Sequence, residues 1–408
     1  MTLSLRRQAV ARPAGRSGSP QRWRVLSLRE LGVFYALLLI WLLLSAATIG
    51  LGRPLFLQPS NILNVFYQSS LISIMGIAMT VVLITGNFDL SVASVAALSA
   101  ALFIELSAPW GVWPALVATL AICACIGLLN GAIVELLGIN AFIVTLGTLT
   151  AIRGLVLIVT DGRSLSVDDP DILLWMNGFE GGSLAARPAL CAAGLACLLL
   201  AGALGLRRRR LGARADASPA DPSPAGPDAA LLGSLAFGIA LLAMGLSCSA
   251  HARLALPVLY VAAMTLATWF VLRFTVVGRR VYAVGGNPEA ARLSGIDVRR
   301  YRIAGFVFSA LAAGFSGVLF ASRLGAINPT ALQGGELTVI AAAILGGTSL
   351  LGGAGSVVKT VVGALVLFSL NSGFNVLNLG ANYQGLIEGV VLVAAAAIYT
   401  VGSQRRGG

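Results

Sequence analysis

The sequence predicts an all-α, polytopic membrane protein, a bundle of about ten to twelve transmembrane helices in which broken helices and an inverted repeat are expected features. Three observations predict it. The 408 residues are 57% hydrophobic and only 11% charged, with a mean hydropathy of +0.89, where a soluble domain carries about 25% charged residues. Apolar runs near the length of a crossing, roughly 20 residues, recur along the chain. Twenty of the 28 basic residues fall in four clusters beside those runs: Arg6, Arg7, Arg12, Arg16, Arg22, Arg24 and Arg29; Arg207 to Arg210 with Arg214; the Arg279 to Arg302 segment; and Arg405-Arg406. That placement follows the positive-inside bias. The net charge of +12 is therefore read as membrane orientation, and nucleic acid is not an expected partner.

The basic arm 1–30 leads into an apolar run at 31–51. The arm is too long and the run too extended for a cleaved leader, so this is an uncleaved first span. Further spans are expected near 62–85, 90–106, 112–137, 141–160, 189–206, 231–249, 254–274, 303–322, 337–352, 355–378 and 382–402. The runs at 90–106 and 337–352 are short, and the second is rich in glycine, so each is a candidate half-span or broken helix. Twelve crossings from an inside start put all four basic clusters in the cytoplasm. They also put the acidic loop 161–187, with Asp161, Asp168, Asp169, Asp171 and Glu180, outside. The domain plan is then a cytoplasmic arm 1–30, a transmembrane domain 31–402 and a cytoplasmic tail 403–408. The transmembrane domain carries a cytoplasmic insert at 207–230 and a cytoplasmic coupling segment at 275–302. Residues 215–230 are rich in Pro, Ala, Ser and Asp and read as a flexible linker that buries no core.

The segment Gly278 to Ile296 is the one long polar stretch with helix-forming order between apolar runs. Gly285-Gly286 permits a tight turn. Asn287 can cap a helix and Pro288 fits its first position. Glu289 favours the helix start, and Ala290 and Ala291 allow close approach to a partner. Such a segment at the inner face suggests a docking surface for a soluble protein.

Asp89-Leu90-Ser91-Val92 is echoed by Glu336-Leu337-Thr338-Val339, each opening a short run rich in small residues. By the crossing count one copy starts inside and the other outside, as an inverted repeat with broken helices would give. Two unrelated helix caps are the competing reading. Charges within spans are costly, which makes Asp89, Arg153, Glu336 and Glu388 candidates for a polar pathway. Buried charges satisfied by backbone or a partner acid are the weightier alternative. Glu105 and Glu135 lie near span ends and are expected to face headgroups or water.

Gly346-Gly347-Thr348-Ser349-Leu350-Leu351-Gly352-Gly353-Ala354-Gly355 imitates a phosphate loop, but Val358 precedes Lys359-Thr360 where that loop needs glycine. Close helix packing or a broken helix at a gate fits the run better. The five cysteines, Cys123, Cys125, Cys191, Cys197 and Cys248, lie in apolar runs and read as small core residues. His251 reads as a solvated residue at a span end. One histidine and no clustered thiols leave no zinc set, and Gly314-Phe315-Ser316-Gly317 lacks the spacing of a nucleophile elbow. No metal, cofactor or catalytic residue is expected, and a membrane enzyme is poorly supported.

Four blocks resemble the integral-membrane permease subunits of bacterial ABC-type sugar importers, the ribose/xylose/galactose class. They are Gly86 to Val92, Phe142 to Thr148 with Arg153-Gly154, Gly278 to Ile296, and Glu336 through Ser356. The resemblance covers most of residues 60–400. Glu289 to Ile296, Ser322-Arg323-Leu324-Gly325-Ala326 and the arginine-rich segment near 207–230 resemble the xylose-type permease most. The resemblance implies a multi-pass protein of the bacterial inner membrane that forms a permease dimer. It also implies two cytoplasmic ATPase subunits and a periplasmic sugar-binding protein as partners. The cargo would be a monosaccharide, D-xylose or a related pentose.

The same resemblance makes Gly285, Gly286, Asn287, Glu289, Ala290, Ala291 and Gly295 the segment that seats in the ATPase. Asp89, Ser91, Arg153, Glu336, Thr338, Gly346, Gly347 and Glu388 are the candidates for the translocation pathway or gate. The chain departs from the family pattern at Ala93, Ala141, Thr338 and Glu388, which places the exact sugar in question. An ion-coupled secondary transporter using Asp89 and Glu388 is the alternative from another class. A related permease for another sugar, a nucleoside or a branched-chain amino acid is the alternative within the class.

Overall fold

The computed structural model describes residues 28–167 and 253–378, with 184–185, 187–196 and scattered positions in 198–247 and 385–390. Most of the arm and of the expected spans at 231–249 and 382–402, together with the insert, the tail, Glu388, His251, Cys197 and Cys248, lie outside the described residues.

In chain order the helices are α1 (Leu28–Gly50), α2 (Pro59–Ile84), α3 (Val92–Trp110), α4 (Val112–Leu137), α5 (Ala141–Val159), α6 (Leu256–Phe274), α7 (Val276–Gly286), α8 (Pro288–Leu293), α9 (Val298–Leu324), α10 (Gly335–Leu345) and α11 (Val357–Leu377). A further helical stretch covers 187–196. Eight of the described helices are long and apolar enough to cross a membrane. Strand is confined to two-residue pairs: β1 (Leu165–Ser166) pairs antiparallel with β4 (Ala326–Ile327), and β2 (Leu184–Ala185) with β3 (Arg253–Leu254). The all-α polytopic expectation holds.

Local chemistry sets the ends. Pro59 opens α2 at a first-turn position, where a missing N–H costs nothing. The Asn140 side chain accepts from Phe142 N at 2.9 Å to start α5. Asp297 accepts from Arg300 N at 3.2 Å to start α9. Of the two short runs, only one is short as a helix. The run at 90–106 becomes the 19-residue α3, which continues past Glu105 because that carboxylate is exposed. The run at 337–352 becomes the 11-residue α10 and stops at Gly346 and Gly347, the second with φ +79°.

α2 and α3 form the centre, buried over most of their length, while α1, α4, α5 and α6 bury only about a fifth of theirs. The exposed positions are apolar: Leu42 and Leu43 on α1, Leu128 and Leu129 on α4, Ile143 and Ile158 on α5, Leu266 and Phe270 on α6. In lipid that surface needs no cover. Cys123 is buried, but Cys125 is exposed, so Cys125 is not the core residue expected from its apolar run. A helix turns by 100° per residue, and two positions on, the side chain has left the packed face.

α9 is the pillar against which α2, α3 and α4 pack. It is seated by glycines. A Cβ on Gly317 would lie 2.0 Å from the Ala96 carbonyl of α3, and one on Gly127 of α4 would lie 2.6 Å from the Phe306 carbonyl. Backbones approach this closely only without side chains between them. Buried hydroxyls add cross-links: Ser99 donates to Gly314 O at 2.6 Å, Ser316 to Leu71 O at 3.1 Å, and Thr80 meets Thr360 at 2.6 Å between α2 and α11.

Gly317→Val is therefore expected to destabilise the protein by ~2–3 kcal/mol, the scale of an overpacked core. Gly147→Val, at a site with nothing within 4 Å, is expected to leave the unfolding midpoint in detergent unchanged. Equal midpoints for the two variants would contradict the packing described.

Candidate functional site

The candidate residues gather at two places. The first is one end of the bundle, where α7 and α8 form a short hairpin between α6 and α9. The Thr275 hydroxyl accepts from Gly278 N at 3.3 Å and caps α7. Asn287 leaves the helix in an extended conformation and its side chain accepts from Ala290 N at 3.0 Å, capping α8. Pro288 takes the first position, Glu289 the first turn and Arg292 the last. Gly295, with φ +77°, closes the segment.

Gly285 and Gly286 do not make the turn. Both belong to the last turn of α7, and the reversal falls on Asn287. Gly285 is required for closeness: a Cβ there would lie 1.6 Å from the Ile84 carbonyl at the end of α2. That same carbonyl accepts from Gly353 N at 2.9 Å. A Cβ on Gly352 would stand 2.7 Å from the Gly285 carbonyl and 3.0 Å from the Gly86 Cα. The ends of α2 and α7 and the Gly352-Gly353 turn thus meet backbone to backbone. Tyr282 adds a bond from its hydroxyl to Gly355 O at 2.9 Å. Burial pushes the Tyr282 phenol up, with the Arg273 charge acting against it, so the hydroxyl remains a donor at neutral pH.

Ala291 does not face a partner either. It is buried with Val284 and Val298, against Ile296 and Tyr301. The outward face consists of Glu289, Ala290, Arg292, Leu293 and Ser294. Leu293 is 86% exposed, a large apolar side chain at the tip of a charged hairpin. Sequence reasoning missed Leu293. Its spacing from Ala290, i to i+3, was the available sign, since residues so spaced share a helix face.

The same end holds an ion pair that the sequence did not announce. Arg302 Nη1 meets Glu135 Oε1 at 3.2 Å, with side-chain exposures of 20% and 4%, and Arg302 Nε donates to Thr85 O at 3.2 Å. Glu135 therefore faces the bundle, not headgroups, whereas Glu105 is exposed.

The second place is inside the bundle. Asp89 is buried, and its carboxylate accepts from Ser91 N at 3.0 Å, Ser91 Oγ at 2.6 Å and Ser309 Oγ at 2.7 Å. Asn130 Nδ2 donates to Ser91 Oγ at 3.1 Å, and Thr148 Oγ1 donates to Asn130 Oδ1 at 2.6 Å. This chain ties α3, α4, α5 and α9 together. Arg153 Nη1 donates to Ala331 O at 2.6 Å. Glu336 and Thr338 are partly buried on α10. The two acid-Leu-hydroxyl-Val starts meet, for a Cβ on Gly335 would lie 3.5 Å from the Ala93 Cβ. A Cβ on Gly346 would lie 2.6 Å from Thr360 N, which makes Gly346 a packing contact of α10 on α11, while Gly347 has nothing within 4 Å.

A helical bundle with a braced hairpin at one end and a buried polar centre belongs here to a transport-system membrane subunit, as the family match shows. Residues 61–396 match the family described as the branched-chain amino acid transport system / permease component, and the chain belongs to that permease family. It is a multi-pass protein of the inner membrane. It is 32% identical over 368 residues to the ribose import permease protein RbsC of Escherichia coli K12, covering 88% of this chain and 92% of that protein. It is 31% identical over 385 residues to the xylose transport system permease protein XylH of the same strain, covering 93% of each. The Haemophilus influenzae XylH is 31% identical over 348 residues, covering 85% of this chain and 90% of that protein. No solved structure matches the chain.

Glu135→Leu is expected to cost ~3–5 kcal/mol of stability, because it strands Arg302 as an unpaired charge. The double variant with Arg302→Leu is expected to recover much of that loss. Denaturation of the two variants in detergent measures the difference, and a double variant no more stable than Glu135→Leu would count against the pair.

Proposed function

We propose that this chain is the translocating subunit of an ATP-driven ABC importer for a monosaccharide. It works as a dimer with two cytoplasmic ATPase subunits and a periplasmic sugar-binding protein, and hydrolyses nothing itself. The two relatives at near-equal identity are named for ribose and for xylose, both aldopentoses, which supports a pentose as cargo. Glu289 to Ile296, Ser322 to Ala326 and the arginine-rich 207–230 segment favour D-xylose.

One observation carries the coupling role: Leu293 stands exposed on α8 while Gly285, at the end of the preceding helix α7, is locked onto α2 and the Gly352-Gly353 turn. A motor gripping α8 has a handle outside and a rigid linkage inside. Arg273, Arg279, Arg280, Arg299 and Arg300 are exposed at this end, which supports its placement in the cytoplasm. The docking segment is then Asn287, Glu289, Ala290 and Leu293 on the surface, supported by Gly285, Gly286, Ala291 and Gly295. ATP binding closes the ATPase pair and pulls the hairpin. The pull reaches the pathway candidates Asp89, Ser91, Arg153, Glu336, Thr338, Gly346, Gly347 and Glu388, so that access alternates between the two sides. The binding protein makes the first selection among solutes, so the permease need not hold the sugar tightly.

Leu293→Asp is the cleaner test than any change at Gly285, where a side chain attacks the permease's own packing. In proteoliposomes with the ATPase and the binding protein, Leu293→Asp is expected to lower ATP-driven uptake at least about tenfold, the scale of a lost interface anchor, with an unchanged unfolding midpoint. Unchanged uptake would place the motor elsewhere. Uptake that persists without ATP and collapses with an uncoupler would establish an ion-driven transporter instead.

A further inference from the structure

Two charged side chains inside the bundle each carry a shielded polar atom with no hydrogen-bond partner among the described residues. Arg153 Nη1 donates to Ala331 O, but Nη2 is shielded from solvent and has no hydrogen-bond partner among the described residues. Glu336 acts electrostatically on Arg153, and its Oε2 is likewise shielded and unpartnered. The two do not close into an ion pair. Both lie beside the irregular turn between β4 and α10. Its Ala331 carbonyl takes one arm of the guanidinium, Leu332 sits at φ +57° and Gly334 at φ +81°, and α10 then begins with Glu336 in its first turn. The turn is internally bonded, Ala331 N to Asn328 O at 3.0 Å and Gly335 N to Leu332 O at 3.0 Å. By contrast, both carboxylate oxygens of Asp89 are satisfied.

A charged donor and a charged acceptor left open in a membrane interior are costly and call for a function. The pair sets the chemistry of what can satisfy both. An anion is repelled by Glu336 and a cation by Arg153, whereas a neutral polyol suits both. We propose that Arg153 Nη2 and Glu336 Oε2 form a transit subsite for two neighbouring hydroxyl groups of the sugar. The carboxylate oxygen accepts from one hydroxyl and the guanidinium donates to the oxygen of the next. Arg153 and Glu336 thereby act as specificity-determining residues on the path. This inference rests on the reading of the chain as a monosaccharide permease.

The experiment is ATP-driven uptake by the complete importer in proteoliposomes, with D-xylose and its single-deoxy analogues at concentrations that saturate the binding protein. Because the receptor is the same in every arm, its own preferences cancel between variants. Wild type is expected to favour xylose over at least one deoxy analogue. Glu336→Gln and Arg153→Gln are each expected to cut xylose uptake about tenfold and to erase that preference, as happens when a site built for a hydroxyl loses its partner. Assembly with the ATPase subunits and the unfolding midpoint in detergent should be retained, which tells a lost subsite from a misfolded chain. Glu336→Asp, which keeps the charge, should raise KM more than it lowers kcat. Restoration of uptake by the swapped pair R153E/E336R would overturn the inference, because it would show a mutual ionic role. So would unchanged discrimination in the Gln variants. Absence of any ATP-driven monosaccharide uptake by wild type would remove the underlying reading as well, and the wild-type arm separates the two failures.

Discussion

Backbone-to-backbone contact through missing side chains is the constraint on which this structure depends. Within lipid, apolar side chains gain little by leaving the tails for one another, so helices associate through close packing and polar cross-links. Gly317 against Ala96 and Gly127 against Phe306 seat α9 between α3 and α4. Gly285, Gly352 and Gly353 repeat the device at the end of the bundle, where the contact joins the hairpin α7–α8 to α2 and to the turn before α11. A contact built from main chain does not flex as side chains do, so displacement of the hairpin is shared by the elements it touches.

Polar groups within the bundle divide by how completely they are satisfied. Asp89 is bonded at both oxygens and, through Ser91, Asn130 and Thr148, joins four helices. Arg302 has Glu135 and the Thr85 carbonyl. These groups fix the arrangement of the core. Arg153 and Glu336 are each left with an open atom, and they lie beside the irregular backbone between β4 and α10. Irregular backbone at membrane depth is tolerated where protein buries it or where it lines a cavity. The satisfied groups hold the bundle together, and the open atoms of Arg153 and Glu336 are the ones proposed above to meet the sugar.

The hairpin and the polar centre share elements. Ile84, which accepts from Gly353 and abuts Gly285, ends the helix that leads through Gly86 into Asp89 and α3. The Gly352-Gly353 turn follows α10, the helix that carries Glu336. Both starts of the repeated acid-Leu-hydroxyl-Val motif are thus one element away from the surface proposed to meet the ATPase. Their own contact, Gly335 beside Ala93, lets the two respond together.

Composition, run length and the placement of arginines determined the class of this protein, because a bilayer dictates the length and apolarity of each crossing whatever the packing. The cap at Asn287 was legible too, since it depends on neighbours within four residues. Tertiary structure decided what depends on distant partners. Glu135 is buried because Arg302 of another helix stands opposite it. Ala291 turns inward because Val284 and Val298 cover it. Gly285 serves approach rather than turning because Ile84 lies against it. A residue's type shows what it can bond or exclude, and only the folded chain brings the partner that settles which of these it does.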